Sequence, residues 1–417
     1  MEKITLSNGF RILLDYDNFA RSCTMGIWVG SGSGYESPES SGASHFIEHM
    51  IFKGTPDRNS YEISTQIDEI GGALNAYTTK EYTCFYCRSL TDHVGKALDI
   101  LCDMVKNPRL EPKDVETEKG VVLEEIALYE DSPEDLCLDT FYENSWFDNA
   151  FGRNILGSRE TVNELNSEAL RAHMAEFYVP ERMVASLCGR FDKDAVISTF
   201  EKYFGSLKPT SNPIKRQSLG FSPFIKTINK DFEQNQIILG FEGIRADVED
   251  RFACGLLCNI LGGSSSSRLF QRIRENLGLV YSIGAFNAAY LNGGLIGISM
   301  GLSHKAEEQA LTESLKILRE FPHDISEKEL SRVQEQAAAG LVMGLESTPA
   351  RASRMGRSEI LFNSVDSQDM LIENYRSVTL DNIRRVSEKL LNLEKIAICS
   401  VGKVYENDFY LSLISNT

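Results

Sequence analysis

The sequence predicts an α+β protein of two homologous α/β modules, each a mostly antiparallel sheet covered by helices. Three observations predict it: a linker-like stretch near the middle, a weak repeat across that stretch, and hairpin-like strand groups with amphipathic helices between them. The stretch 205–223 carries Pro209, Pro213 and Pro223 among Ser, Asn and basic residues, with no sustained periodicity. It divides the 417 residues into a first module at 1–210 and a second at 220–417. Residues 164–189 line up with 377–402, and Ala97-Leu98 with Ala310-Leu311, each pair 213 positions apart. In both copies a polar-capped helix leads into an apolar strand, 183–188 or 396–401, that ends at glycine.

Within the first copy, strands are expected at 10–15, 25–29, 73–78 and 83–90. Periodic apolar stretches predict helices at 41–52, 60–70, 92–105, 112–129 and 167–177. The helix at 112–129 has a legible face: Val115, Val122, Ile126 and Tyr129 form one stripe at about 100° per residue. Cys84 and Cys87 resemble a redox pair, but three-residue spacing in a strand turns them to opposite faces, so a structural role is expected.

Composition narrows the function classes. A formal charge of −17, from 43 Lys and Arg against 60 Asp and Glu, argues against nucleic acid as a partner. No apolar run reaches the roughly 18 residues of a membrane span. The start, Met-Glu-Lys-Ile-Thr-Leu, has no basic stretch leading into an apolar core, so no signal peptide is expected. Nine scattered cysteines fit reduced thiols, and a cytoplasmic location is expected.

The chemistry centres on His45-Phe-Ile-Glu48-His49. Four residues apart on a helix, His45 and His49 lie one turn apart and can reach one ion, with Glu48 on the same side. Zinc favours such nitrogen and carboxylate donors, and a catalytic site needs three protein ligands plus an open position. The pattern is the inverted form of the zinc-peptidase motif. For the third ligand, Glu118 and Glu125 fall on or beside the apolar stripe of 112–129, whereas Glu124 points the other way. A carboxylate turned toward a core is costly unless paired or bound to metal, which makes Glu125 the ligand candidate. Without the histidine pair, Glu124 and Glu125 would both read as solvated helix residues.

His45-x-x-Glu48-His49 followed 76 residues later by Glu125 resembles the pitrilysin/insulysin superfamily of inverted-motif zinc peptidases, above all the short bacterial members similar to the mitochondrial processing peptidase. The likeness extends through Phe52-Lys-Gly-Thr, Gly72-Ala-Leu-Asn-Ala-Tyr-Thr, Gly152-x-x-Ile-Leu-Gly and Ser267-Arg-Leu-Phe-x-x-Ile-Arg-x-x-x-Gly-Leu-x-Tyr. The resemblance implies one zinc per chain held by His45, His49 and Glu125, Glu48 as general base and Glu118 as a carboxylate supporting a ligand histidine. It implies that Asn75 and Ala76, on an edge strand beside the zinc, and Arg274 and Tyr281, in the second half, hold peptide substrate. It also implies two chains enclosing a chamber, most simply a homodimer, with pairing to an inactive relative as the alternative.

In the second copy, Cys254, Leu257 and Cys258 stand where His45, Glu48 and His49 stand, and Gly340 where Glu125 stands, so no catalytic zinc is expected there. Its Gly262-Gly-Ser-Ser-Ser-Ser-Arg268 loop lacks the Gly-Lys-Ser/Thr ending of a phosphate cradle. Three readings follow: a zinc endopeptidase, a non-catalytic scaffold or peptide-binding subunit of a heteromeric complex, and a metal-bound regulatory module that holds peptides without turnover. A broken motif would favour the second, and dispensable Arg274 and Tyr281 the third.

Overall fold

The computed structural model describes residues 1–210, 214 and 216–416, so the expected linker at 205–223 lies outside the described residues at 211–213 and 215. The chain forms two compact units. The first comprises Met1–Ile126, Arg153–Lys215 and Met343–Asp366; the second comprises Ala127–Gly152, Arg216–Val342 and Ser367–Thr417.

The sheet of the first unit contains β1 (Glu2–Thr5), β2 (Arg11–Tyr16), β3 (Ser22–Val29), β4 (Ala73–Thr78), β5 (Thr83–Leu90) and β6 (Met183–Gly189). Its order is β1-β2-β6-β3-β5-β4, with only β2 and β6 parallel. The second sheet contains β7 (Ile225–Asn229), β8 (Asn235–Glu242), β9 (Val280–Ala289), β10 (Gly294–Leu302) and β11 (Ala397–Gly402). Its order is β7-β11-β8-β10-β9, with only β7 and β11 parallel. Setting β1 aside, order and directions coincide, as the repeat predicts. The terminal glycines coincide too. Gly189 (φ +134°) and Gly402 (φ +128°) both occupy backbone that disfavours side chains, and a Cβ would meet Ser22 O at 2.5 Å or Asn235 Oδ1 at 2.4 Å.

Strand β6 is buried at every position, so its sheet needs cover on both faces. One face carries Met25, Ile27, Phe85, Cys87, Ala185 and Leu187 into the main core, against the helices Ala43–Ile51 and Val94–Lys106. The other face carries Thr24, Trp28 and Ser186 and lies under the helix Thr348–Phe362. Ser186 Oγ donates to Ala352 O at 2.9 Å, and Thr24 and Thr348 share a hydroxyl contact of 3.1 Å. In the second unit the corresponding cover is the helix Pro133–Ser145, packed on β8 and β11.

A single cut between 210 and 220 therefore does not describe the packing. Residues 127–152 belong to the second unit and 343–366 to the first. The linker composition marks a covalent boundary; which sheet face each helix buries decides the unit. The expected strands at 73–78 and 83–90 and the helix at 167–177 match the structure end for end. β1 and the helices Arg159–Glu164 and Lys193–Phe204 are additions. Cys84 and Cys87 are both buried, and only Cys87 joins the main core, consistent with opposite faces. Cys254 and Cys258 are buried in the second core.

Candidate metal centre

The helix Ala43–Ile51 buries Phe46, Ile47, Met50 and Ile51 against the first core and keeps His45 and His49 on one side, their ring centroids 4.6 Å apart. The helix Pro112–Asp131 buries Val115, Glu118, Val122 and Ile126, leaves Glu125 half-buried and exposes Glu124. Tyr129, expected on the same stripe, is instead 37% exposed; the buried stripe ends at Ile126, where the first of the three segments of that unit also ends.

These two helices bring three donors together. Glu125 Oε2 lies 3.7 Å from His45 Nε2 and 3.5 Å from His49 Nε2. One ligand atom from each of the three residues lies within 4.8 Å of the others. The Glu125 contacts are too long for good hydrogen bonds. Donors about 2.0–2.1 Å from a tetrahedral ion stand about 3.4 Å apart, so the spacing fits zinc. Burial, helped by the neighbouring His49, pushes the His45 pKa down to about 3, keeping the imidazole neutral and able to donate a lone pair.

Glu118 accounts for the orientation of His49. Its Oε1 lies 2.9 Å from His49 Nδ1, and its Oε2 pairs with Lys53. Burial pulls His49 toward the neutral form, but the Glu118 hydrogen bond and the charges of Glu125, Glu118 and Glu48 outweigh it and raise its pKa. For Glu118, burial is outweighed by the bonds to His49 and Lys53, so its pKa is lowered.

Glu48 faces the end of β4. Thr78 Oγ1 donates to Glu48 Oε2 at 2.6 Å. Burial raises the Glu48 pKa, while Thr78 and His49 oppose the rise and Glu125 adds to it. Asn75 is exposed on β4, with its Oδ1 accepting from Ala76 N at 2.8 Å, and Ala76 is buried. Among the described residues β4 pairs only with β5, leaving its outer edge free.

Arg274 and Tyr281 belong to the second unit. Arg274 lies in the segment Phe270–Asn276, its Nε donating to Tyr281 O at 3.0 Å and its guanidinium over the Phe270 ring at 4.7 Å. The Tyr281 side chain is 75% exposed near the start of β9. Sequence reasoning assigned no role to Thr78 or Lys53. Both stand within stretches that carried the resemblance, which was the only signal able to point to them.

Two repeated α+β units, with the His-x-x-Glu-His and distant-Glu donor set on the first, define a zinc-protease class of chain. The sequence profile of the insulinase family (peptidase family M16) matches residues 11–159, and that of the peptidase M16 inactive domain matches 164–337. The chain belongs to the insulinase family. It is 35% identical over 416 residues to the uncharacterized zinc protease YmxG of Bacillus subtilis (strain 168), covering 100% of this chain and 98% of that one. Its fold is similar to that of a protease from Helicobacter pylori (TM-score 0.87, 18% identity, 96% and 99% coverage). It is also similar to that of a chain of complex III2 from Candida albicans (TM-score 0.85, 18% identity, 99% of each chain). No helix among the described residues is long and apolar enough to cross a membrane.

Proposed function

We propose that the protein is a zinc-dependent endopeptidase acting on peptides or unfolded segments. The observation that carries this reading is the complete set on two helices: donors from His45, His49 and Glu125, with Glu48 beside them. Zinc bound there supplies Lewis acidity that lowers the pKa of a water and polarises a carbonyl. Glu48 takes the proton of the attacking water and returns it to the leaving amine, and its raised pKa suits both halves of that transfer. Glu118 fixes the His49 ring and favours the Nε2 lone pair facing Glu125. A substrate strand adds to the free edge of β4 at Asn75 and Ala76, gaining affinity through main-chain bonds with little sequence preference.

Arg274 and Tyr281 hold substrate backbone from the second unit. Two chains pair as a homodimer enclosing a chamber in the cytoplasm, with no nucleic-acid or membrane partner. Enclosure selects substrates by size and extended conformation. The competing reading is a non-catalytic scaffold or peptide-binding subunit, which the fold alone accommodates, as its likeness to a complex III2 chain illustrates. The intact set of His45, Glu48, His49 and Glu125 favours the enzyme.

The deciding experiment compares zinc content and cleavage of a quenched peptide by wild type and Glu48→Gln. The variant is expected to retain zinc and lose at least about a hundredfold in kcat. Unchanged turnover with zinc retained would remove Glu48 as the base.

A further inference from the structure

The loop between β3 and the helix Ala43–Ile51 delivers a buried carboxylate to the start of that helix. Glu36, 5% exposed, accepts from Gly42 N at its Oε2 and from Ser44 N at its Oε1, both at 2.7 Å. Gly42 is the N-cap residue and offers no side-chain cap. Its φ of +93° and the 2.5 Å that would separate a Cβ from Leu156 O bar the Ser, Thr or Asp that ordinarily fills this position. Glu36, six residues upstream, does that work from outside the helix.

The same loop is tied to the strand that orients Glu48. Ser33 N donates to Thr79 O at 3.1 Å and Gly34 N to Lys80 O at 2.8 Å, directly after Thr78 at the end of β4. Ser44 is held at its side chain as well. Its Oγ lies 3.3 Å from His173 Nε2, which also lies 3.1 Å from Ser31 Oγ. The next residue along the helix is His45.

We propose that Glu36 is a positioning residue of the metal centre. Its paired bonds to Gly42 and Ser44 fix the depth and rotation of the helix Ala43–Ile51, and so the spacing at which His45 and His49 meet Glu125. The inference rests on the reading above for the identity of the ion. Without the carboxylate, two buried N–H groups lose their acceptor and the first turn must shift to find another. A shift there moves His45 directly, whereas Glu125 stays on its own helix.

The test uses the full-length wild type, Glu36→Gln, Glu36→Asp and Glu39→Gln, the last an exposed acid of the same loop. Each is loaded with zinc or cobalt, and chelator-driven metal release and the cobalt d–d spectrum are recorded well below the unfolding midpoint. Glu36→Gln is expected to release metal at least about tenfold faster with an altered spectrum. Glu36→Asp, one methylene shorter, should fall between it and wild type, and Glu39→Gln should match wild type. A folded Glu36→Gln with wild-type release and spectrum would overturn the proposal. Should that variant not fold, Glu36→Asp decides by the same two readouts, wild-type values again overturning it. Cleavage is not a readout, so a wild type that binds zinc without turnover would end the hydrolytic reading while the release rates still judge Glu36.

Discussion

Thr78 Oγ1 donates to Glu48 Oε2 at 2.6 Å, linking the last residue of the edge strand β4 to the carboxylate proposed as the base. The strand that would receive a peptide thereby also sets the rotamer of the group that would act on it. Thr78→Val keeps the shape and removes the donor. Thr78 holds the Glu48 pKa down, so its loss raises that pKa further. A base must be ionised to accept a proton, so the acid limb of the kcat/KM profile is expected to move to higher pH. A pH–rate profile of the variant against wild type checks this, and an unmoved limb would separate Thr78 from the base.

Glu118→Gln leaves a neutral amide beside His49 and deprives Lys53 of its carboxylate partner. Zinc affinity is expected to fall about 10- to 100-fold, measured by competition with a chromogenic chelator. Lys53→Met, which leaves Glu118 in place, is expected to weaken zinc by less. Wild-type affinity in Glu118→Gln would show that the His49 contact does no orienting.

Gly356 lies on the helix Thr348–Phe362 where it packs on Trp28 of the first sheet. A Cβ there would stand 2.3 Å from the Trp28 indole, a rigid ring that is 1% exposed. In the second unit the bulky partner is on the helix instead: a Cβ on Gly240 of β8 would stand 2.1 Å from the Phe141 ring. Gly356→Ala is expected to cost about 1–3 kcal/mol of stability by denaturant titration. A change under about 0.5 kcal/mol would mean that the helix repacks freely.

A pH effect on stability is expected in the second unit. Arg268 pairs with both oxygens of Glu329, at 2.7 and 2.9 Å, and Ser326 adds a hydroxyl bond at 2.8 Å. Burial opposes the charge, but these bonds hold the Glu329 pKa at about 2, below the ordinary 4.5. A carboxylate depressed on folding stabilises the native state above its unfolded pKa. The contribution is therefore complete above about pH 4.5 and fades as pH falls toward 2. Glu329→Gln should flatten the stability curve across that window. Parallel curves for variant and wild type would assign the acid sensitivity elsewhere.

What the sequence disclosed follows the range of the interaction. His45, Glu48 and His49 are local, and helical spacing alone places them on one side. Glu125 needed the periodicity of its own helix together with the histidine pair, and the exposure of Glu124 agrees with that face assignment. The repeat was legible because Gly189 and Gly402 share a backbone demand that favours glycine. β1 was not, being largely exposed and short of apolar pattern. The exchange of Pro133–Ser145 and Thr348–Phe362 between units lay beyond sequence reasoning because it depends on which sheet face each helix meets. Thr78, Lys53 and Glu36 act through contacts across 30, 65 and 6 to 8 residues, which composition and periodicity do not encode.

The most direct measurement is the zinc content of Glu125→Gln and Glu124→Gln, purified alike and dialysed against a mild chelator. One carboxylate faces two imidazoles and its neighbour faces solvent. Glu125→Gln is expected to lose most of its zinc while Glu124→Gln keeps about one ion per chain. Equal retention in the two variants would contradict the three-ligand centre.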